Sequence, residues 1–223
     1  MENSHGFLPK LCDLEILNKV IIYCEKIIKS SPEINYFKNV HLNYPYILKI
    51  LPNKLNGILS DLLKTNEFFL ETVELHIQKP DCEPIPPHQD NFYHCTEYNK
   101  SLKILIPLNF LNSKNGGLFF CDCPIEFPVM PHVASKTINF SSFIEKKELS
   151  KINLVSTSYE YQLGDASYHF INNLHYSNGN KTSFKTMFLV FRYLLNDATQ
   201  DSEALVRYEN CFKKHKEYLE ENN

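Results

Sequence analysis

The residues best suited to chemistry stand in the stretch 84–94, PIPPHQDNFYH. His88 and Asp90 are separated by one residue, and another histidine, His94, follows four residues after Asp90. If this stretch is extended, His88 and Asp90 point to the same face of a sheet, where an imidazole and a carboxylate converge. Two histidines and one carboxylate on one face form the type of metal site that non-haem Fe(II) oxygenases use, with other coordination positions left open.

The third ligand of such a site has to come from elsewhere in the chain. For His94 to bind the same metal, the chain would have to turn back within four residues. His94 is therefore a better candidate for lining the site than for binding the metal. His169 and His175 both stand in GDASYHFINNLHYSNGNKTSFK, near the end of the strand-rich part. Spacing alone leaves both open as the third ligand, and a structural His–Asp hydrogen bond remains the alternative to a metal site.

Composition indicates a globular protein and excludes some partners. The 223 residues are 43% hydrophobic and 22% charged, and 16 Phe and 13 Tyr provide ample material for a core. The formal net charge of -3 does not favour nucleic acid or an acidic membrane surface as the main partner. No apolar run reaches the roughly 18 residues that a membrane span needs, and the N-terminal stretch does not resemble a signal peptide. We therefore expect a cytoplasmic protein that binds a small molecule.

The seven cysteines stand at scattered positions, and none of them forms a CxxC pair. An odd number of scattered cysteines is typical of a reduced, intracellular chain with structural thiols. The CDC triplet at 121–123 is a candidate for a soft metal, but two ligands without nearby partners are a weak signal.

Hydrophobic periodicity changes along the chain from helical to strand-like. Apolar residues recur at helical spacing over 11–30, and 46–65 is a second helical region with a break near Pro52. Aromatic and β-branched runs then predict a series of strands, and the charged tail over about 200–221 is helical. The predicted strands cover 67–80, 103–111, 113–121, 152–163 and 185–195.

This order of elements predicts a mainly β fold with flanking helices. Successive strands without βαβ alternation favour an antiparallel core, and a double-sheet, cupin-like jelly roll fits best. We expect a single domain over 1–223, with a helical part over 1–66, the β core over 67–195 and a C-terminal helix over 196–223. The stretch 124–151 has little pattern and is predicted to be a long loop over one mouth of the sheets.

Three motifs together resemble those of a known family. HQDNFYH, the downstream NGGLFF and GDASYHFINNLHYSNGNKTSFK look like the phytanoyl-CoA dioxygenase family of Fe(II)/2-oxoglutarate-dependent oxygenases, over residues 70–194. The resemblance implies a double-stranded β-helix, which is a form of the jelly roll, and it implies His88, Asp90 and His175 as the iron ligands. Relatives that halogenate replace the carboxylate with a small residue, so the presence of Asp90 favours hydroxylation.

The sequence departs from this family where the family binds 2-oxoglutarate. The family holds the far carboxylate of 2-oxoglutarate with an arginine, and aligning the turn places Lys185 there. A lysine neutralises a carboxylate as a point charge, without the bidentate fork of arginine. Arg192 is a poorer candidate, because its odd spacing from Lys185 turns it to the opposite face of a strand. Ser177, two residues after His175, is implied to contact the cosubstrate, with a turn-capping role as the alternative.

The implied function is oxidation of a small molecule with Fe(II), 2-oxoglutarate and O₂. The reaction would hydroxylate an unactivated C–H bond and release succinate and CO₂. One alternative is a cupin-like metal-binding protein that does not turn over 2-oxoglutarate. Another is the same scaffold catalysing desaturation, cyclisation or epimerisation, which the iron ligands do not distinguish from hydroxylation.

Overall fold

The computed structural model describes residues 3–97, 100–137 and 140–222. Its helices are α1 (Leu14–Ser30), α2 (Val40–Asn43), a 3₁₀ helix (Pro45–Ile50), α3 (Lys54–Leu63), α4 (Asn91–His94), α5 (Lys146–Leu149) and α6 (Ser202–Asn222). Its strands are β1 (His5–Leu8), β2 (Tyr36–Lys38), β3 (Phe68–Gln78), β4 (Ile85–Gln89), β5 (Ser101–Pro107), β6 (Leu118–Cys121), β7 (Val133–Thr137), β8 (Phe140–Phe143), β9 (Ser156–Ser158), β10 (Ala166–Phe170), β11 (Leu174–Ser177) and β12 (Thr186–Leu195).

The larger sheet has six antiparallel strands in the order β1-β10-β5-β12-β3-β2. Its central strands are covered on both faces, which explains the nearly continuous apolar runs in their sequences. In β3 the two faces still differ, because side chains alternate along a strand. Leu75 and its outward neighbours join the core formed with the helices, whereas Glu74, His76 and Gln78 line an interior cavity.

The helices of the N-terminal part pack on the outer face of this sheet. Asp13 caps α1 by accepting hydrogen bonds from the backbone N–H groups of Glu15 and Ile16. The apolar stripe of α1 joins one core with the 3₁₀ helix, α3 and the outward side chains of the sheet. The break predicted near Pro52 lies between the 3₁₀ helix and α3.

The smaller sheet has the order β4-β11-β6-β9 and packs against the inner face of the larger one. An apolar cluster fills part of the space between the two sheets, and it consists of Leu105, Leu111, Leu118, Phe120, Tyr161, Phe188 and Val190. Two antiparallel sheets around a shared core form a double-sheet jelly roll. The prediction of a mainly β, jelly-roll fold with flanking helices is therefore confirmed.

The sequence prediction was wrong in two regions. The N-terminal part is not purely helical, because β1 pairs with β10 and β2 pairs with β3 at opposite edges of the larger sheet. The stretch 124–151 is not one long loop, since it contains the antiparallel pair β7–β8 and the short helix α5. These strands have three to five residues each, too few for an alternating pattern to stand out. Residues 138 and 139 lie outside the described part of the chain.

The α6 helix packs against β7, β8 and α4. In the described part of the chain, no helix is both long enough and apolar enough to cross a membrane. All seven cysteines are free thiols, and six of them are buried.

Candidate metal site

His88 is presented by β4, a strand whose sequence is rich in proline. Proline cannot donate a ladder hydrogen bond, so a strand with Pro86 and Pro87 has to lie at a sheet edge. β4 is the edge strand of the smaller sheet and pairs only with β11 within it. The carbonyl of Pro87 accepts a hydrogen bond from the N–H of Ile144, which follows β8. The prolines therefore restrict the backbone directly before His88.

Asp90 follows the end of this strand rather than continuing it. β4 ends at Gln89. Asp90 is the N-cap residue of α4 and has helical backbone angles (φ -56°, ψ -34°). Its carbonyl accepts hydrogen bonds from the N–H groups of Tyr93 and His94. The prediction that one extended segment presents both His88 and Asp90 was therefore wrong in its geometry, although the two side chains do converge.

His175 lies directly opposite His88. In the antiparallel pair β11–β4 the two residues are Cα partners, and their ring centroids are 4.3 Å apart. Residues that face each other across two antiparallel strands bring their side chains to the same place. This register brings a histidine 87 positions further along the chain to the His-x-Asp motif.

Donor atoms of His88, Asp90 and His175 all lie within 4.8 Å of one another, and the described residues contain no other such group of three. The Nδ1 atoms of the two histidines lie 2.9 Å from the carbonyl of Pro86 and 3.0 Å from that of Asn173. A carbonyl only accepts, so each Nδ1 carries the proton and each Nε2 has a free lone pair. Two imidazole nitrogens and one carboxylate suit Fe(II) and related divalent metals, so these residues fit a metal ion.

Two further side chains hold the carboxylate of Asp90. The Lys103 ammonium lies 3.0 Å from Oδ1, and Nε2 of His169 lies 3.1 Å from Oδ2. Burial alone would raise the pKa of Asp90, but Lys103, with His175 and His169, holds that pKa well below its usual range. Asp90 is therefore ionised although it is buried, as a metal ligand must be.

The histidines of this cluster are kept neutral. Burial lowers the pKa of His88 to about 3 and that of His175 to about 4, and in each case a neighbouring histidine further disfavours the protonated form. Burial also lowers the pKa of His169. Neutral imidazoles at neutral pH are the form that binds a metal.

A second carboxylate, Glu74 of β3, lies close to Lys103. Its Oε2 atom is 4.0 Å from the Lys103 ammonium and 3.2 Å from Nε2 of His76. The Tyr36 hydroxyl donates a hydrogen bond of 2.7 Å to Oε1. Burial alone would raise the pKa of Glu74, but Lys103, His76 and Tyr36 together lower it. Lys103 is thus shared between two buried carboxylates.

These groups line a cavity of about 440 Å³, which is in the size range of small-molecule sites. Its walls include Tyr36, Glu74, His76, His88, Asp90 and Lys103. Glu83 and Phe140 line both this cavity and a second one of about 630 Å³, which also borders Pro84, Pro86 and β7. The metal cluster therefore faces a cavity that is bordered by Phe140 and Ser141 of β8.

The structure brings together three of the predicted site residues and leaves two outside the cavity. His88, Asp90 and His175 form the cluster, and the first two of them line the cavity, whereas Lys185 and Ser177 belong to neither. The Lys185 ammonium lies 3.0 Å from Oε2 of Glu25 on α1, at the outer face of the larger sheet. The Ser177 hydroxyl accepts a hydrogen bond from the N–H of Gly179, which is the turn-capping alternative.

The other candidates also have defined places. His94 lines the cavity but is not part of the metal cluster, and His169 hydrogen-bonds Asp90 from β10. Arg192 is buried, with its guanidinium 2.5 Å from Glu71 and its Nε donating to Ser101. Among the described residues, Cys121 and Cys123 are not part of any three-ligand cluster.

Sequence reasoning missed Glu74, His76 and Lys103. The signal was present as polar residues inside apolar strands. In ETVELHIQ, Glu74, His76 and Gln78 alternate with Val73, Leu75 and Ile77, and Lys103 interrupts the run SLKILIP. Charges in a strand buried on both faces require partners, and those partners indicate a site.

No protein-family model matches the sequence, and no curated protein matches it. Similar solved structures include the epimerase SnoN in complex with Fe³⁺, alpha ketoglutarate and nogalamycin RO, with TM-score 0.72 and 13% identity over 89% of this chain and 81% of that chain. The non-haem monooxygenase ThoJ has TM-score 0.73 and 12% identity over 98% of this chain and 95% of that chain. EvdO2 from Micromonospora carbonacea var. aurantiaca, complexed with 2-oxoglutarate, has TM-score 0.72 and 15% identity over 90% and 89% of the two chains. At these identities the likeness shows the fold.

Proposed function

We propose that this chain is a non-haem Fe(II)- and 2-oxoglutarate-dependent oxygenase that hydroxylates an unactivated C–H bond of a small molecule. The observation that carries the proposal is the cluster of His88, Asp90 and His175, whose donor atoms lie within 4.8 Å of one another at the wall of a cavity. The fold likeness to SnoN and to EvdO2, whose structures hold 2-oxoglutarate, supports the cosubstrate. The sequence motifs support membership of the phytanoyl-CoA dioxygenase family.

The chemistry would be supplied by the metal together with its cosubstrate, and the chain would supply the arrangement. In the overall reaction, one oxygen atom of O₂ enters the substrate C–H bond and the other enters succinate, while 2-oxoglutarate loses CO₂. His88 and His175 would bind the metal through Nε2, and Asp90 through its carboxylate. Lys103 and His169 orient that carboxylate from two sides. The apolar cluster around Phe120 keeps water away from one side of the site.

The substrate would be a small molecule that approaches from the β7–β8 hairpin. The cavity at the metal cluster and its neighbour share Glu83 and Phe140 in their walls, so the hairpin borders both. The cavity volume of about 440 Å³ supports a small-molecule substrate beside 2-oxoglutarate. The free thiols support a reducing compartment such as the cytoplasm.

A second outcome on the same scaffold is favoured by one neighbour, because SnoN is an epimerase. Epimerisation and hydroxylation can both begin with removal of a substrate hydrogen, so the same ligand set serves either one. Product analysis by mass spectrometry separates the two, since hydroxylation adds one oxygen atom and epimerisation leaves the mass unchanged.

The first test is an anaerobic titration of the metal-free protein with Fe(II) and then 2-oxoglutarate. We expect a visible metal-to-ligand charge-transfer band in the wild type, and no band in His175→Ala at the same concentrations. A matched control is His41→Ala, which removes a histidine of α2 and leaves the cluster intact. Succinate release in the presence of O₂ is the second readout.

A wild type that binds Fe(II) but never develops the band would contradict the proposal. The cupin-like metal-binding protein without 2-oxoglutarate turnover would then be the leading interpretation. A band that persists unchanged in His175→Ala would contradict the ligand set instead.

A further inference from the structure

The distal carboxylate of 2-oxoglutarate needs a positive partner, and this inference rests on the proposed function. A carboxylate buried without a counter-charge is strongly disfavoured, because burial removes its hydration and nothing replaces it. Among the described residues that line the cavity, Lys103 is the one lysine or arginine. Lys185, which the sequence predicts as the partner, is paired with Glu25 at the outer face of the sheet.

The end of the interior near Ser177 is apolar and suits this carboxylate poorly. Phe188 and Leu118 belong to the apolar cluster there, and Ile85 packs against it. Of the nearby hydroxyls, Thr186 already donates to the carbonyl of Asn115, and Ser177, which accepts from Gly179, could donate one hydrogen bond but carries no charge. The polar part of the cavity around Lys103 therefore remains as the place for a charged group.

In the structure Lys103 is held by two carboxylates. Its side chain is 8% exposed, its ammonium lies 3.0 Å from Asp90, and Glu74 at 4.0 Å is beyond hydrogen-bond distance. A divalent metal on Asp90 would compete with Lys103 for the same negative charge. Glu74 would still have the Tyr36 hydroxyl and His76 as partners if Lys103 turned away. Both contacts of Lys103 are therefore replaceable once a metal is bound.

We propose that Lys103 binds the distal carboxylate of 2-oxoglutarate, and that metal binding at Asp90 is what frees Lys103 to do so. The order of binding follows from this arrangement, with the metal first and the cosubstrate second. With a divalent metal bound, the charges of the metal and of the buried groups Asp90, Glu74 and Lys103 sum to one net positive charge, whereas the carboxylate of Glu83, which also lines the cavity, is exposed to solvent. That charge favours an anionic ligand, whereas the metal-free cavity repels one.

The test compares two ligands on two proteins. The probes are 2-oxoglutarate and 2-oxopentanoate, which has the same five-carbon 2-oxo acid chain but lacks the distal carboxylate. Anaerobic titrations of the Fe(II)-loaded protein give both dissociation constants. We expect wild type to prefer 2-oxoglutarate by about 100-fold, the size of a buried charge pair, and Lys103→Met to lose most of this preference. Affinity for 2-oxopentanoate should be nearly the same in both proteins.

Metal affinity provides a readout that a purely structural role would not give. Lys103→Met removes a positive charge beside Asp90, so Mn(II), measured alone by calorimetry, should bind several-fold more tightly than to wild type. A lysine that only supports the fold would, when removed, weaken the metal and both 2-oxo acids together. The matched controls are Lys100→Met, a lysine that pairs with Asp197 at the surface, and Lys185→Met. Both should keep the 100-fold preference.

Three outcomes would overturn the inference, and they differ from one another. If Lys103→Met keeps the preference while wild type binds 2-oxoglutarate, Lys103 is not the partner. If Lys185→Met loses the preference, the partner is Lys185. If wild type binds Mn(II) but neither 2-oxo acid after Fe(II) loading, the proposed function itself fails.

A second variant keeps the test decisive if Lys103→Met does not fold. Glu74→Gln has nearly the same shape and removes a competing negative charge from Lys103. It should bind 2-oxoglutarate about tenfold more tightly and leave the affinity for 2-oxopentanoate unchanged. An unchanged or smaller ratio of the two affinities would argue against a role for Lys103.

Discussion

The space between the two sheets has a polar end and an apolar end, built from the same strands. β5 presents Lys103 to the polar end and Leu105, two residues later, to the apolar end. β12 does the same with Arg192 and Phe188. Because inward positions recur every second residue, one strand can supply a charge to one end and a hydrocarbon to the other.

The two ends depend on different forces. At the polar end each charge is buried with an opposite charge. Lys103, for example, lies between the carboxylates of Glu74 and Asp90. Such groups are strongly interdependent, since removing one leaves its partner buried and unpaired. At the apolar end Leu105 and Phe120 contribute by removing hydrocarbon from water, at roughly 25 cal/mol per Å². Their loss leaves a cavity and no stranded charge.

The metal cluster lies where these two ends meet. His175 lies near Phe120 on one side, with ring centroids 6.2 Å apart, and near Asp90 on the other, at 3.8 Å. A metal bound there would compensate charge at the polar end and would leave the apolar end unaffected. The comparison therefore predicts that metal stabilises variants of the polar end more than it stabilises the wild type, and that it stabilises variants of the apolar end only as much as the wild type.

The largest effect is expected from placing a charge in the apolar end. Leu105→Asp buries a carboxylate at a position that is fully buried and next to Lys103, which already has two partners. We expect a loss of more than about 4 kcal/mol of unfolding free energy, enough to leave much of the protein unfolded. Urea denaturation monitored by circular dichroism measures this loss, and Mn(II) should stabilise the variant no more than it stabilises the wild type.

Two further variants test whether this loss comes from burying a charge in the apolar end. Val155→Asp, at a residue that is 55% exposed, should change the unfolding free energy by less than about 0.5 kcal/mol. Lys103→Met in the polar end should be destabilised without metal and regain stability with Mn(II), because the metal compensates Asp90. If Mn(II) stabilised Leu105→Asp and Lys103→Met equally, the division into two ends would be wrong.

Much of the fold could be predicted because long periodic segments carry a strong signal. The strand over 185–195 and the helix over 11–30 correspond to β12 and α1 with shifts of one to three residues at their ends. β1 and β7 could not be predicted, because a short strand is defined by the partner it pairs with rather than by its own pattern. β1 exists because its backbone extends the edge of the larger sheet beside β10.

The candidate metal ligands could be found from the sequence, whereas their polar neighbours could not. His88, Asp90 and His175 stand in motifs that resemble those of a family, and the cross-strand register brings His175 opposite His88. Lys103 and Glu74 stand in no motif. Their roles depend on which strands are neighbours in the sheet, and β3 and β5 are separated by β12, which comes much later in the chain.

A smaller effect, with a defined pH dependence, is expected for Glu74→Gln in the metal-free protein. The pKa of Glu74 is lowered in the fold, so its contribution is present above the unfolded pKa of about 4.3 and is lost as pH falls below it. At pH 7 the variant should be less stable by about 1–3 kcal/mol.

This difference should shrink as the pH falls from about 5 to 3, and urea denaturation at several pH values measures it. The buried histidines also contribute to acid unfolding, but they do so in both proteins and cancel in the difference. A stability difference that stayed constant over this range would mean that the charge of Glu74 is not what stabilises the polar end.

The smallest effect is expected from Tyr36→Phe, which removes one donor to Glu74 and keeps the ring. The hydroxyl lies 2.7 Å from Oε1, but Tyr36 is 44% exposed, so water can replace it. We expect a loss of about 1 kcal/mol at pH 7, below the range for fully buried hydrogen bonds to charged groups. The loss should diminish at low pH as in Glu74→Gln, because a protonated Glu74 needs the donor less. Tyr23→Phe on α1 is the matched control, and an equal loss there would show that the Tyr36 hydroxyl does not act through Glu74.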